Sequence, residues 1–193
     1  MGVSLVGYGV NQKGGLVSKT LVFDLETQKL ADEVGGWGNK DKMLLSLGVL
    51  YHVEEDKYQT YFEADVDQLI KDLQSATLVV GYNVKNFDYA VLQHYSIFDL
   101  QEIPTLDMLV EVHKVLGFRL KLDQLAHGTL GDNKSADGLE AVKFFREGRL
   151  KELEDYCRKD VEITYKVFDY GKKNQHLVYF DRMQNKQQIE VNW

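Results

Sequence analysis

The chain of 193 residues has one cysteine and one proline, and these shortages exclude several classes of protein. A lone Cys157 cannot close a disulfide within the chain, so a disulfide-stapled framework is ruled out. A reducing, cytoplasmic setting is the simpler expectation. Long apolar runs are also missing: nothing approaches the roughly 20 residues a membrane helix needs, so no membrane partner is expected. Residues Met1–Gly15 lack a basic start and an apolar run, and do not read as a signal peptide. The five histidines, His52, His94, His113, His127 and His176, are scattered and form no zinc pattern with the single cysteine.

Positive charge is scarce as well. Lys and Arg total 23 against 30 Asp and Glu, a net charge of −7. A protein that coats nucleic acid through its general field should be basic, which counts against that role. It counts less against a metal nuclease, in which clustered carboxylates raise the negative count and bound cations turn the site into a phosphate-binding one.

What is present is enough apolar material for a core, 44% of the residues, with no repeat, low-complexity tract or break in composition. One domain spanning 1–193 is expected. Thr20–Glu26 (TLVFDLE) reads as a buried central strand, Met43–His52 and Tyr58–Phe62 as a hairpin around the polar turn Glu54–Lys57, and Thr77–Tyr82 as a second buried strand. Asp65–Ser75 predicts an amphipathic helix with Val66, Leu69, Ile70 and Leu73 on one face. Asn86 is read as the cap of a helix to about Tyr95, and Thr105 as the cap of one ending at Gly117. A short helix over Leu122–Ala126, a loop over His127–Gly138, and helices over Leu139–Arg146 and Leu150–Tyr170 follow, with Gly171 as a stop. His176–Phe180 and Gln188–Trp193 alternate as a terminal hairpin would. Strand–helix alternation after a hairpin implies a mixed sheet with helices packed on it, and sites in open sheets lie beyond the carboxyl ends of the strands.

Three places carry candidate chemistry. Asp24 and Glu26 are one pleat apart and share a face at the end of the first strand. Two adjacent carboxylates suit Mg²⁺ or Mn²⁺, although a strand that has merely reached solvent would look the same. Asp88 sits in the first turn of a helix, where an acid also favours the helix dipole. Asp160 is the residue out of place. Leu150, Leu153, Cys157, Val161, Thr164 and Phe168 form an apolar stripe; Tyr156, Asp160, Ile163 and Val167 adjoin it; the other charges lie opposite. A charge on the inward half of a helix needs a partner or a metal. Cys157 itself reads as a small buried hydrophobe. Asp107 is explained by the start of its helix.

The stretch Gly128–Ser135 is one residue from a phosphate-cradling loop, but Asn133 replaces the final glycine and no strand precedes it, so nucleotide hydrolysis there is rejected. Lys134 stays open as a loop cation toward a substrate phosphate, a solvated lysine being the plainer alternative.

Taken in order, Asp24-Leu-Glu26-Thr27, Asn83-x-x-x-Phe87-Asp88 and Tyr156-x-x-x-Asp160 resemble the three motifs of the DEDD exonucleases. A His branch of that superfamily would carry histidine where Asp155 stands, so the resemblance is to the DEDDy branch. The segments Lys134-Ser-Ala-Asp-Gly-Leu-Glu-Ala and Tyr156-Cys-Arg-Lys-Asp-Val are most similar to YprB-like exonucleases. The resemblance spans about 20–171 and implies an α/β, ribonuclease H-like mixed β-sheet flanked by α-helices. It also implies 3′–5′ exonuclease activity with two divalent ions, Mg²⁺ or Mn²⁺. By resemblance Asp24, Glu26 and Asp160 hold one ion, Asp24 bridges to the second, Asp88 acts through that ion's waters, and Tyr156 orients the attacking water. Leu25, Thr27, Asn83 and Phe87 are the implied substrate contacts. The implied partners are single-stranded DNA or RNA 3′ ends, with a helicase, polymerase or repair factor alongside. A binding or scaffolding module that lost catalysis, and a phosphohydrolase of small nucleotides, remain as alternatives.

Overall fold

The computed structural model of the protein describes residues 18–131 and 138–193. Met1–Gly15 and Lys134 lie outside them. Strand β1 (Thr20–Thr27) lies third in a five-stranded sheet, with β2 (Leu45–His52) and β3 (Lys57–Phe62) on one side and β4 (Leu78–Gly81) and β5 (Thr105–Asp107) on the other, in the order β3-β2-β1-β4-β5. β1 pairs antiparallel with β2 and parallel with β4. This is the expected mixed sheet.

The period-two alternation of β1 decides what each face sees. Leu21, Phe23 and Leu25 enter the apolar layer under α1 (Val66–Gln74) and α2 (Asp88–Leu92). Val22 enters the layer on the other side, built with α3 (Met108–Leu116), α4 (Leu122–Leu130), α5 (Gly138–Arg146) and the long α6 (Leu150–Asn174). Asp24 and Glu26 continue the Val22 face, beneath α6. Both layers cover β2, all eight of whose residues are buried. The pairing of β1 with β2 slips by one residue after Glu26, so that Ser46 has no opposite number. Such a bulge bends and twists a strand where it occurs, often beside a site.

All four apolar residues expected on α1 are buried. On α6, Leu153, Cys157, Val161, Thr164 and Phe168 are buried as the stripe requires, whereas Leu150 is 42% exposed at the first turn. Burying a large aliphatic side chain contributes roughly 1.5–3 kcal/mol, so this stripe is what holds α6 across the sheet.

Several expectations are corrected. The stretch Trp37–Met43 is 3-10 helical and β2 starts at Leu45, not at Met43. Thr105 is in a strand, and the cap of α3 is Asp107, whose carboxylate accepts from the Leu109 amide at 3.1 Å. Asn86 does not cap α2; the residue in that position is Phe87, without a side-chain cap, and the helix gives way to a 3-10 turn at Gln93. The helix begun at Leu122 runs to Leu130, beyond the expected end at Ala126. Gly171 is no stop: α6 continues to Asn174, and a Cβ at Gly171 would lie 2.8 Å from the indole of Trp193. Glycine is there to let that ring pack, not to end the helix. The terminal hairpin exists, as β6 (His176–Phe180) antiparallel to β7 (Lys186–Glu190), the second strand starting two residues earlier than expected.

Candidate active site

The register of β1 with β4 ends at Val22↔Val80, and β4 itself ends at Gly81. Gly81 permits the turn: a Cβ on it would lie 2.2 Å from Val84 Cγ1 and 3.0 Å from the Phe23 carbonyl oxygen. Asn83 then adopts a left-handed φ of 69°, which asparagine tolerates better than most residues. The buried Asp107 secures this loop, accepting from the amides of Asn83 at 2.8 Å and Lys85 at 3.0 Å. The loop ends by delivering Asp88, whose Oδ1 accepts from the Leu25 amide at 3.1 Å. An acid from the loop is thereby fastened between Asp24 and Glu26.

From the other side α6 crosses β1. Cys157 Sγ lies 3.5 Å from both the carbonyl oxygen and Oδ2 of Asp24. One ligand atom each from Asp24, Glu26 and Cys157 falls within 4.8 Å of the others, a spacing that can hold a metal ion. Tyr156 and Asp160, one turn apart on α6, face the same cleft of about 580 Å³ as Asp24, Glu26 and Asp88. The structure therefore gathers all five residues singled out in three distant stretches of sequence. Leu25, Thr27 and Phe87 also line this cleft. Asn83 does not; it lines a neighbouring cavity, and its Oδ1 accepts from Arg119 at 2.8 Å.

Electrostatics agree with a cation site. Asp160 and Asp88 are 8% and 2% exposed, levels at which an ionised carboxylate needs compensation. Burial drives the Asp88 carboxyl well above the ordinary carboxylate range, and nearby Asp107 adds to the rise against the opposing hydrogen bond from Leu25. Burial also raises the Cys157 thiol, followed by the negative fields of Asp24, Glu26 and Asp160. Around that thiol the donors are predominantly carboxylate oxygens, from Asp24, Glu26, Asp88 and Asp160. An oxygen-rich set of this kind suits a hard divalent cation.

The cleft has a second, apolar wall that no motif announced. Trp37, 64% exposed, stands at its edge with its ring 6.2 Å from that of Phe87. Leu30, Ala31 and Met43 extend this wall, and Leu139 and Val142 of α5 face the cleft as well. Trp37 lies in a 3-10 stretch without periodicity, and only its position after the first carboxylate motif could have pointed to it.

No helix of the described residues is long and apolar enough to cross a membrane. The chain matches no curated protein. Residues 21–172, which run from the first strand through the helix bearing Asp160, match the family model described as RNase_H superfamily. Sheet order, carboxylate placement and this match agree, and the chain belongs to the RNase H superfamily.

Proposed function

We propose that the protein is a 3′–5′ exonuclease of the DEDDy type, akin to the YprB-like enzymes. It hydrolyses phosphodiester bonds at nucleic-acid 3′ ends and releases nucleoside monophosphates. The observation that carries this reading is the convergence of Asp24, Glu26, Asp88, Tyr156 and Asp160 on one cleft. The family suggests a nuclease, and the added tyrosine supports the finer assignment.

In this reading Asp24, Glu26 and Asp160 would hold one divalent ion, Asp24 would also serve a second, and Asp88 would act on that second ion through water. Two such ions, Mg²⁺ or Mn²⁺, supply stabilisation of charge on the attacking and leaving oxygens. The protein's own contribution is placement. Asp88 is locked to the strand by the Leu25 amide. Tyr156 orients the attacking water and is not itself the base, since a phenol's ordinary pKa is about 10. The apolar wall of Phe87 and Trp37 takes the terminal base, by stacking that needs no particular base, with the buried Leu25 contributing only to the floor of the cleft. Thr27 and Asn83 are further contacts toward the terminal nucleotide, Asn83 from the adjoining cavity. The single free cysteine, buried, is consistent with a reducing cytoplasmic setting.

The test is cleavage of labelled single-stranded DNA and RNA with Mg²⁺ or Mn²⁺, beside Asp160→Ala and Tyr156→Phe variants. Activity abolished in the first variant and by chelator, and slowed in the second with metal binding kept, is the expected pattern. Binding without cleavage would favour a scaffolding module. Hydrolysis of mononucleotides alone would favour a small-nucleotide phosphohydrolase.

A further inference from the structure

Two more cavities adjoin the cleft in series. Tyr82 lines both the cleft and a cavity of about 480 Å³, in which Asn83 and Lys121 also stand. Arg119 and Leu120 line that cavity and a groove of about 780 Å³ beside the β6–β7 turn. The Tyr82 hydroxyl donates to the Leu120 carbonyl at 2.8 Å, joining the two sides.

The chemistry of this path differs from that of the chain as a whole. On a protein of net charge −7, it presents the exposed cations Arg119, Lys121 and Arg182. The acid in the groove, Asp181, already accepts from the amides of Met183 and Asn185 and from the side chains of Asn185 and Gln187. Between the cations lie ring surfaces: Phe118, 46% exposed and 6.3 Å from the ring of Tyr179, and Phe180. Cations interleaved with aromatic faces are what a single strand needs, phosphates meeting the first and bases the second.

The hairpin that carries half of this surface is firmly docked. Thr129 Oγ1 donates to the Val178 carbonyl at 3.0 Å and accepts from the Val178 amide at 2.9 Å. A Cβ on Gly128 would lie 2.3 Å from the same carbonyl oxygen, so α4 and β6 meet backbone to backbone. Tyr179, Phe180 and Arg182 lie beyond the residues matched by the family model, which end at 172.

The geometry points to this path, from Tyr82 to the β6–β7 turn, as the track for the nucleic-acid strand behind its terminal nucleotide. It rests on the exonuclease reading, with the charge concentrated along the strand's course where the molecule's overall field is repulsive.

The experiment measures binding of a 5′-fluorescein, 12-nucleotide single strand with phosphorothioate 3′-terminal linkages to the full chain in Mg²⁺, across a salt series. The double variant Arg119→Gln/Arg182→Gln is expected to weaken binding roughly tenfold and to reduce the salt slope by about 1.4, the value for two lost phosphate contacts on a single strand. Arg119→Lys/Arg182→Lys is expected to stay within about threefold of the parent, which separates lost charge from lost folding. Unchanged affinity and slope in the Gln variant, or no binding by the parent chain, would overturn the track and leave the groove to another partner such as an acidic protein. Binding lost in the Gln variant of a parent that cleaves nothing would sink the exonuclease reading and keep the track. Cleavage by the parent with unaltered binding in the Gln variant would do the reverse.

Discussion

Asp88 Oδ1 accepts a hydrogen bond from the amide of Leu25, the residue between Asp24 and Glu26. One contact thus joins the second acidic segment to the first, across 63 positions of sequence, and sets where the carboxylate at the start of α2 stands relative to two strand-borne ones.

That bond separates two roles of one side chain. Asp88→Asn keeps an acceptor for the Leu25 amide and removes the charge, so it is expected to leave the melting temperature unchanged or raised while activity falls by at least tenfold. Asp88→Ala removes the acceptor too and leaves a buried amide unsatisfied, at a cost of about 1–3 kcal/mol. Melting curves of both variants in chelator, beside nuclease rates, distinguish charge from architecture.

The same residue makes stability depend on pH. The folded state holds the Asp88 proton more tightly than the unfolded chain does. Protons bound in excess by the folded state mean that the Asp88 contribution is most favourable below the ordinary Asp value of about 3.9, and that it declines as pH rises from there toward the raised folded value. Metal-free protein should therefore lose stability across that interval relative to Asp88→Asn, and added Mn²⁺ should raise the melting temperature more at the upper end. Denaturant titrations at several pH values, with and without Mn²⁺, read both effects. Parallel profiles for the two proteins would contradict the assignment.

Trp37 is exposed and pairs only at a distance with Phe87, so its loss should cost little stability. If it stacks on the terminal base, Trp37→Ala should raise KM roughly tenfold, within the about 1–3 kcal/mol of one base–aromatic contact, and Trp37→Phe should restore much of it. An unchanged KM removes Trp37 from the substrate wall.

Gly81 gives the loop its path. A methyl there meets Val84 Cγ1 at 2.2 Å and the Phe23 carbonyl at 3.0 Å. Gly81→Ala is expected to destabilise by about 1–3 kcal/mol, as overpacking does, and to lower activity more than Tm, because the displaced loop carries Asp88. Activity that follows stability alone would show that the loop shift does not reach the site.

The parts of this design legible in the sequence are those with a period. The alternation of β1 placed Asp24 and Glu26 on one face, and the spacing on α6 placed Asp160 and Tyr156 on its inward half. What lacked a period was not legible. β5 has three residues and no alternation to read. Trp37 sits in 3-10 turns, and Gly171 resembled a helix stop because its real reason, the ring of Trp193, lies 22 positions away. Asp107 read only as an acid near the start of its helix, with Thr105 as the cap; that it is itself the cap, and that it holds the Asn83 and Lys85 amides, depends on a parallel pairing of β4 with β5 that a three-residue strand does not announce. Cys157 read as a core residue and is one, yet its contact with Asp24 comes from the crossing of α6 over β1.

The central claim is directional hydrolysis from a free 3′ end at the Asp24–Asp160 cleft. The most direct measurement is a gel-resolved time course on a 5′-labelled single strand with Mn²⁺, comparing a free 3′ hydroxyl with a blocked 3′ end. The account predicts a ladder that shortens one nucleotide at a time from the free end, strong protection by the block, and no ladder with Asp160→Ala. Internal cuts that ignore the block, or an undiminished ladder from Asp160→Ala, would contradict it.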